Sequence, residues 1–410
     1  MRDKPIHPIV FMFLILPFGV LPGYLSVTLG YQLSHAGVSV AGVAGIVSLG
    51  LLPHVWKFLW APVVDTTLSR RTWYIIGCVA CAAGLFAMGS LPPNAKMLPL
   101  LSAFALVSNI GVTFLCMSVE SVMAYETPEN AKGRAGGWFQ AGVLGGSGLG
   151  GGAALLIAQH TSITWLAGAT LAGACLACTL ALPFVHGAAV DKHEHGLGRA
   201  LVTVVTDLWA VARSRAGILA LVLCFLPIGT GAASGLFAAV ANDWHATAET
   251  VALVTGALAG VLSAIGCLIA GVVSDRMNRQ LAYALYGIVQ AGFAIAMAVL
   301  PHTQINYIVF TSLYTVMSGF TFAGFSAFVL EAIGRGAAAT KYNAYASLSN
   351  APIYYVTLVD GWAQGKRGSS GMLYAEAAMA GVALVVFLAL SSALPRRATA
   401  VKVEVESAPA

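Results

Sequence analysis

The chain has 410 residues, 58% hydrophobic and only 9% charged, with a formal net charge of +5 and a mean hydropathy of +0.83. A water-soluble domain carries roughly 25% charged residues, so most of this surface must face lipid. The basic residues sit in short clusters between apolar stretches, which excludes a continuous phosphate-binding face and, with it, a nucleic-acid partner.

A spanning helix needs about 20 largely apolar residues. Twelve are expected, numbered in chain order: 9–31, 40–63, 73–91, 98–121, 135–158, 163–185, 217–240, 250–273, 281–300, 306–332, 343–364 and 372–394. Arg2 and Lys4 precede the first, and no small-residue cleavage site follows it, so it reads as retained rather than as a cleaved leader. The fold class is therefore an all-α membrane protein in two six-helix halves. Residues 1–185 form the first bundle and 217–394 the second. A linker at 186–216 carries an amphipathic surface helix, and 395–410 form a tail.

Helix 1 contains Pro17 and Pro22. Proline removes a backbone bond and clashes with the preceding turn, so an interruption is expected there. Lys57 lies two turns inside helix 2, where an ammonium costs about 2.5–3.5 kcal/mol at helix centre. Glu120 of helix 4 is its candidate partner; the pair reads either as a substrate-anion and gating site or as a structural ion pair. The run Gly145–Gly152 resembles a phosphate loop but lacks the following Gly-Lys-Ser/Thr. It reads instead as a small-residue surface that packs helix 5 closely against the other half. Pro227, Gly229, Gly231 and Gly235 interrupt helix 7. Further intramembrane polar residues include His54, Asn109, Gln140, Gln290, Tyr354, Tyr355, Asp360 and Glu376. The seven cysteines all lie in hydrophobic stretches. Two pairs have CxxC spacing, but deprotonating four thiols in lipid is costly, so neither a metal nor a cofactor is expected.

The halves repeat. Leu16-Pro17-Phe18-Gly19 recurs as Leu226-Pro227-Ile228-Gly229, His35 as His245, Asp65 as Asp275 and Glu120 as Glu331, all at offsets of 210 or 211 in the numbering. With the N-terminus inside, 17 of the 21 Lys and Arg fall on the cytoplasmic side, so both termini are expected there.

The loop Gly271-Val272-Val273-Ser274-Asp275-Arg276-Met277-Asn278-Arg279 resembles the signature loop of the major facilitator superfamily. Its counterpart, Ala61 to Asp65 followed by Arg70 and Arg71, has alanine in place of the glycine. The resemblance implies a cytoplasmic latch. In it Asp65 and Asp275 meet a helix N-terminus of the other half, and arginines such as Arg276 pair with acidic helix ends. The segment Trp56 to Asp65, with Glu120 and Lys132-Gly133-Arg134, is similar to the family that groups bacterial muropeptide permeases, acetyl-coenzyme A transporters and certain siderophore importers. Twelve helices match its siderophore-importing branch.

These resemblances imply a monomeric secondary transporter of a bacterial inner membrane. It would work by alternating access and import a small polar or amphiphilic solute, such as a siderophore or muropeptide, by proton symport. Matched interruptions point to a site between the halves. The expected cavity is lined by helices 1, 4, 7 and 10, with Tyr24, Asn109, Ser234 and Tyr314 as polar contacts and Lys57 as a further substrate contact. Glu331, on a helix that lines the cavity in that superfamily, is the first candidate for the coupling proton; Asp360 and Glu376 are others. A drug or metabolite exporter of the same fold is the alternative. A membrane-embedded acyltransferase is a third reading, but His54 and Glu120 lack a nucleophile or metal partner, so no enzyme is expected.

Overall fold

The computed structural model describes residues 6–7, 9–60, 63–64, 67–126, 132–185, 202, 206, 209, 215–333 and 344–393. Every regular element among them is helical. The first half comprises α1 (Ile9–His35), α2 (Val40–Leu59), α3 (Arg70–Ser90), α4 (Leu98–Glu126), α5 (Lys132–Gly148, continuing through a π turn into Ala154–His160) and α6 (Leu166–Phe184). In the second half α7, residues 215–244, is broken: Arg215–Phe225 is helical, and Ala232–Gly235, Phe237–Val240 and Ala241–Trp244 are single turns. Then follow α8 (residues 248–276), α9 (Arg279–Val299) and α10 (Gln304–Ile333). The stretch Asn350–Ala393 is two helices, α11 and α12, separated at Arg367 and at Gly368, whose φ is 68°.

Among the described residues, ten helical stretches are long and apolar enough to cross a membrane. The last is the α11–α12 pair, and α7 is too interrupted to count among them. The expected seventh crossing is thus met by a broken segment, and the twelfth by a helix joined to its neighbour. The tail, nearly all of the linker and its surface helix lie outside the described residues.

Equivalent devices start equivalent helices in the two halves. Ser39 caps α2 by accepting from the Gly42 N–H at 3.2 Å, and Thr247 caps α8 by accepting from the Thr250 N–H at 3.3 Å. Ser69 accepts from the Thr72 N–H before α3, and Asn278 from the Leu281 N–H before α9, both at 3.1 Å. Tyr74 of α3 donates to the Leu14 carbonyl of α1 at 2.9 Å; Tyr283 of α9 donates to the Ile228 carbonyl of α7 at 2.7 Å. Large apolar side chains such as Val79, Leu268, Ile305 and Val385 are exposed, as a lipid-facing surface requires.

The two proline segments behave differently. The expected break in α1 does not occur: α1 runs unbroken through Pro17 and Pro22 and widens into a π turn at Tyr24–Leu29. Cys81 Sγ of α3 reaches the Pro17 oxygen at 3.7 Å, and Ser26 Oγ, one turn on in the same helix, the Pro22 oxygen at 2.8 Å. In α7 the break is real. Gly229 and Gly231 adopt φ of 62° and 70°, left-handed values that ordinary residues avoid. Exposed carbonyls there are met by tyrosines, Tyr355 on Phe225 at 2.7 Å and Tyr307 on Phe237 at 2.9 Å.

The α5 glycines divide their work. A Cβ on Gly146 would stand 2.2 Å from the Leu16 carbonyl of α1, and one on Gly150 2.0 Å from the Val20 carbonyl. Three of its six glycines, Gly146, Gly150 and Gly151, therefore pack within their own half, so the expected contact with the other half is made by only part of the run. Gly148 and Gly152 alone turn to the other half; Gly152 meets α8, where a Cβ on Gly256 would lie 2.5 Å from the Gly152 nitrogen.

Candidate functional site

The halves meet at three further places on the face opposite the termini. Ser34 Oγ of α1 donates to the Ala239 carbonyl of α7 at 2.5 Å. Gly361 of α11 lies against α2, where an added Cβ would be 2.4 Å from that of Ala44. An added Cβ on Gly235 would meet Val47 at 3.4 Å. A core cluster that includes Val43, Leu236 and Trp244 continues across this junction.

Beneath it, between the halves, lies a cavity of about 180 Å³. Its walls are Ser26 and Val27 of α1, Leu144 and Ser147 of α5, Ser234, Gly235 and Phe237 of α7, Thr255, Ala259, Gly260 and Ser263 of α8, and Thr315, Ser318 and Phe322 of α10. Hydroxyls on apolar helices offer hydrogen bonds without the cost of burying a charge.

Of the residues expected to contact substrate, only Ser234 lines this cavity. Tyr24 is buried inside the first half, its hydroxyl 3.7 Å from where a Cβ on Gly89 would stand. Asn109 is also inside that half, its Oδ1 3.1 Å from His54 Nε2 and its amide donating to the Ala105 carbonyl at 2.8 Å. Tyr314 is buried in the second half and donates its hydroxyl to Glu376. The expectation that these four side chains share one cavity is therefore corrected, as is the expected place of helix 4 in its wall. Polar groups at membrane depth satisfy one another within a bundle whenever a partner is near. The missed hydroxyls follow helical spacing: Thr255 and Ser263 share one face of α8 with Ala259 between them, and Thr315 and Ser318 share one face of α10 with Phe322.

Lys57 is not in the middle of a helix. It begins the 3₁₀ turn Lys57–Leu59 that ends α2, and its Nζ lies 3.2 Å from Glu120 Oε1 and 3.8 Å from Cys116 Sγ. The pair sits within the first half and does not touch the cavity. Pro227 lines a small void in the second half with Gln290, Tyr314 and Glu376, while Pro17 is buried within α1. Asp65 lies outside the described residues; Asp275 and Glu331 are on helices whose side chains at those positions are not described. Arg276 is exposed at the end of α8. No group of three potential metal ligands occurs among the described residues.

A sequence model of the Major Facilitator Superfamily matches residues 9–354. The anhydromuropeptide permease of Escherichia coli (strain K12) is 25% identical over 363 residues, covering 84% of this chain and 72% of that protein. Among solved structures, the nucleoside transporter NupG (D323A mutant) superposes with a TM-score of 0.71 at 13% identity, covering 93% of this chain and 98% of its own. A POT family transporter in complex with a thioalcohol-conjugated peptide gives 0.69 at 14% identity, covering 94% and 96%. The partially occluded inward open form of the xylose transporter XylE from E. coli gives 0.63 at 14% identity, covering 93% and 99%. These last three likenesses concern the fold.

Proposed function

The chain belongs to the Major Facilitator Superfamily, and we propose that within it this chain is a proton-driven importer of a polar or amphiphilic solute, with anhydromuropeptide-like compounds the first class to test. The observation that carries the reading is the hydroxyl-lined cavity between the halves, walled by both of them. A site shared by two bodies is opened to either side when one body rocks against the other. The solute class is drawn from the permease relative, which aligns with 84% of this chain.

At about 180 Å³ the cavity is smaller than the roughly 300–1,000 Å³ of ordinary ligand pockets. A muropeptide-sized solute therefore needs the halves to part. The junction at Ser34, Gly361 and Gly256 closes the face opposite the termini, so parting occurs at the terminus-bearing face. In this reading the segments expected on the terminus-bearing side carry 17 of the 21 basic residues, which makes that face cytoplasmic and the conformation one closed to the outside.

A thermal-shift series on the purified protein tests the solute class. Anhydromuropeptides should raise the melting temperature, with ligand at 100 times its dissociation constant adding about 2.7 kcal/mol. Ser318→Leu, which fills the cavity, should abolish the shift. A shift by siderophores or acyl-coenzyme A compounds alone would redirect the assignment.

A further inference from the structure

The cavity leaves two buried carboxyls of the second half unused. Glu376 of α12 is 7% exposed and accepts three hydrogen bonds: from the Tyr314 hydroxyl of α10, from the Ala233 N–H of α7 at 3.0 Å and from Thr230 Oγ1 of α7 at 3.4 Å. Asp360 of α11 is fully buried, and neither of its oxygens has a hydrogen-bond partner. It lies within electrostatic reach of both Glu376 and Tyr314. Neither carboxyl has a cationic partner among the described residues. Two uncompensated charges at membrane depth are expensive, and the obvious relief is one bound cation.

An independent observation points the same way. Gln290 of α9 is 2% exposed, and its Oε1 has no partner although its amide donates to Ser318 Oγ at 2.8 Å. It borders the same void of about 10 Å³ as Tyr314, Thr230 and Glu376. An unused acceptor beside a carboxyl is what a proton-carrying carboxyl would donate to. A metal cation fits less well, because the oxygens of Glu376 are already taken by N–H and O–H donors that it would displace.

We propose that Asp360 and Glu376 together hold one proton, that this is the coupling proton of the importer reading on which the inference rests, and that Glu376 transmits its presence to the cavity wall. The step is a proton transfer alone: a carboxylate oxygen takes the proton from water on one side and returns it to water on the other. Three connections reach the wall. Ala233 adjoins Ser234 in the broken segment of α7; Tyr314 packs edge-on against Phe237 with ring centroids 5.2 Å apart; and Gln290 holds Ser318. Asp360 also adjoins Gly361, which meets α2 of the other half at Ala41 and Ala44, residues that bring no charge. Among the described residues, the titratable groups facing the site are Asp360, Glu376 and Tyr314; α7 and α9 contribute Thr230, the Ala233 N–H and Gln290.

The test uses the full chain in liposomes, with native cysteines replaced and Ser234→Cys as a probe. Alkylation of the probe, divided at each pH by the rate for the same cysteine in the unfolded protein to remove the thiol's own ionisation, should change about five-fold between about pH 6 and about pH 8, the low end of ordinary coupling between sites. Asp360→Asn and Glu376→Gln should each flatten that response, and Asp360→Glu should keep it. Sodium in place of choline at fixed pH should leave the rate unchanged. A pH response that survives both neutral variants, no response in the parent, or a sodium effect equal to that of pH would overturn the proposal. Should a variant melt early, a hydrophobic carbodiimide applied to the unmutated protein supplies the second measurement. Its adducts at residue 360 or 376 should decline from about pH 6 to about pH 8, and their absence would also overturn it. No substrate is needed in either experiment. A protein that shows the pH response yet fails to transport would therefore refute the importer reading and leave the proton site standing.

Discussion

Removing either member of the Lys57–Glu120 pair separates a structural ion pair from a substrate contact. Breaking a fully buried pair costs about 3–5 kcal/mol, and an exposed pair about 0–1 kcal/mol. Here the side chains are 11% and 23% exposed, so the pair lies between these limits and its two ends differ. Glu120→Ala leaves the more buried ammonium with only Cys116 Sγ at 3.8 Å, and should cost about 2–3 kcal/mol. Lys57→Ala leaves a carboxylate that water reaches more easily, and should cost about 1–2 kcal/mol. For a unit the size of one six-helix half, 1 kcal/mol moves the melting temperature by about 2–4 °C. Thermal unfolding of the wild type, both single variants and the double variant completes a cycle. The double variant should lose clearly less than the sum of the singles, and Glu120→Ala should be the worse single. Strictly additive losses, or none, would refute the structural pair. Unchanged melting with lost uptake would assign Lys57 to substrate instead.

Three further outcomes follow from other contacts. Gly256→Leu would drive a side chain into the α5 backbone at Gly152, where even a Cβ stands 2.5 Å from nitrogen; uptake should fall by an order of magnitude or more at normal expression, and normal uptake would show that α5 and α8 need not close here. Gly229→Ala combines a φ of +62° with a Cβ 2.4 Å from Thr321, so it should destabilise by about 2–4 kcal/mol, against about 1–2 kcal/mol for Gly37→Ala, whose φ is +79° in open space; equal melting temperatures would count against the α7 geometry. In a cysteine-free background, an impermeant maleimide should label Lys96→Cys in intact cells and Arg276→Cys only after permeabilisation, both positions being exposed; the reverse would invert the topology.

How much of this could be read in the sequence depended on how local the signal was. The length and apolarity of the helices, the repeat and the α7 break are local, and Gly229 and Gly231 beside Pro227 announced the break. Pro17 and Pro22 looked equivalent to Pro227, yet α1 stays whole, held against α5 at Gly142, Gly146 and Gly150, a long-range contact that no local pattern encodes. Tyr24, Asn109 and Tyr314 were sensible contacts by helix number, but each points into its own bundle, toward Gly89, His54 and Glu376. The direction a side chain takes on a membrane helix is set by neighbouring helices, which spacing alone does not identify. The hydroxyls of α8 and α10 were legible as periodic faces; what marks them as cavity walls is their position opposite α1 and α5.

The central claim, gradient-driven uptake through the cavity between the halves, meets its most direct test in proteoliposomes. Purified protein is reconstituted with an inward proton gradient, and labelled anhydromuropeptide is added outside. Accumulation above the external concentration that collapses with a protonophore, and that Ser318→Leu abolishes, is the predicted result. Uptake no greater than in protein-free liposomes, or accumulation that persists after the gradient is collapsed, would contradict it.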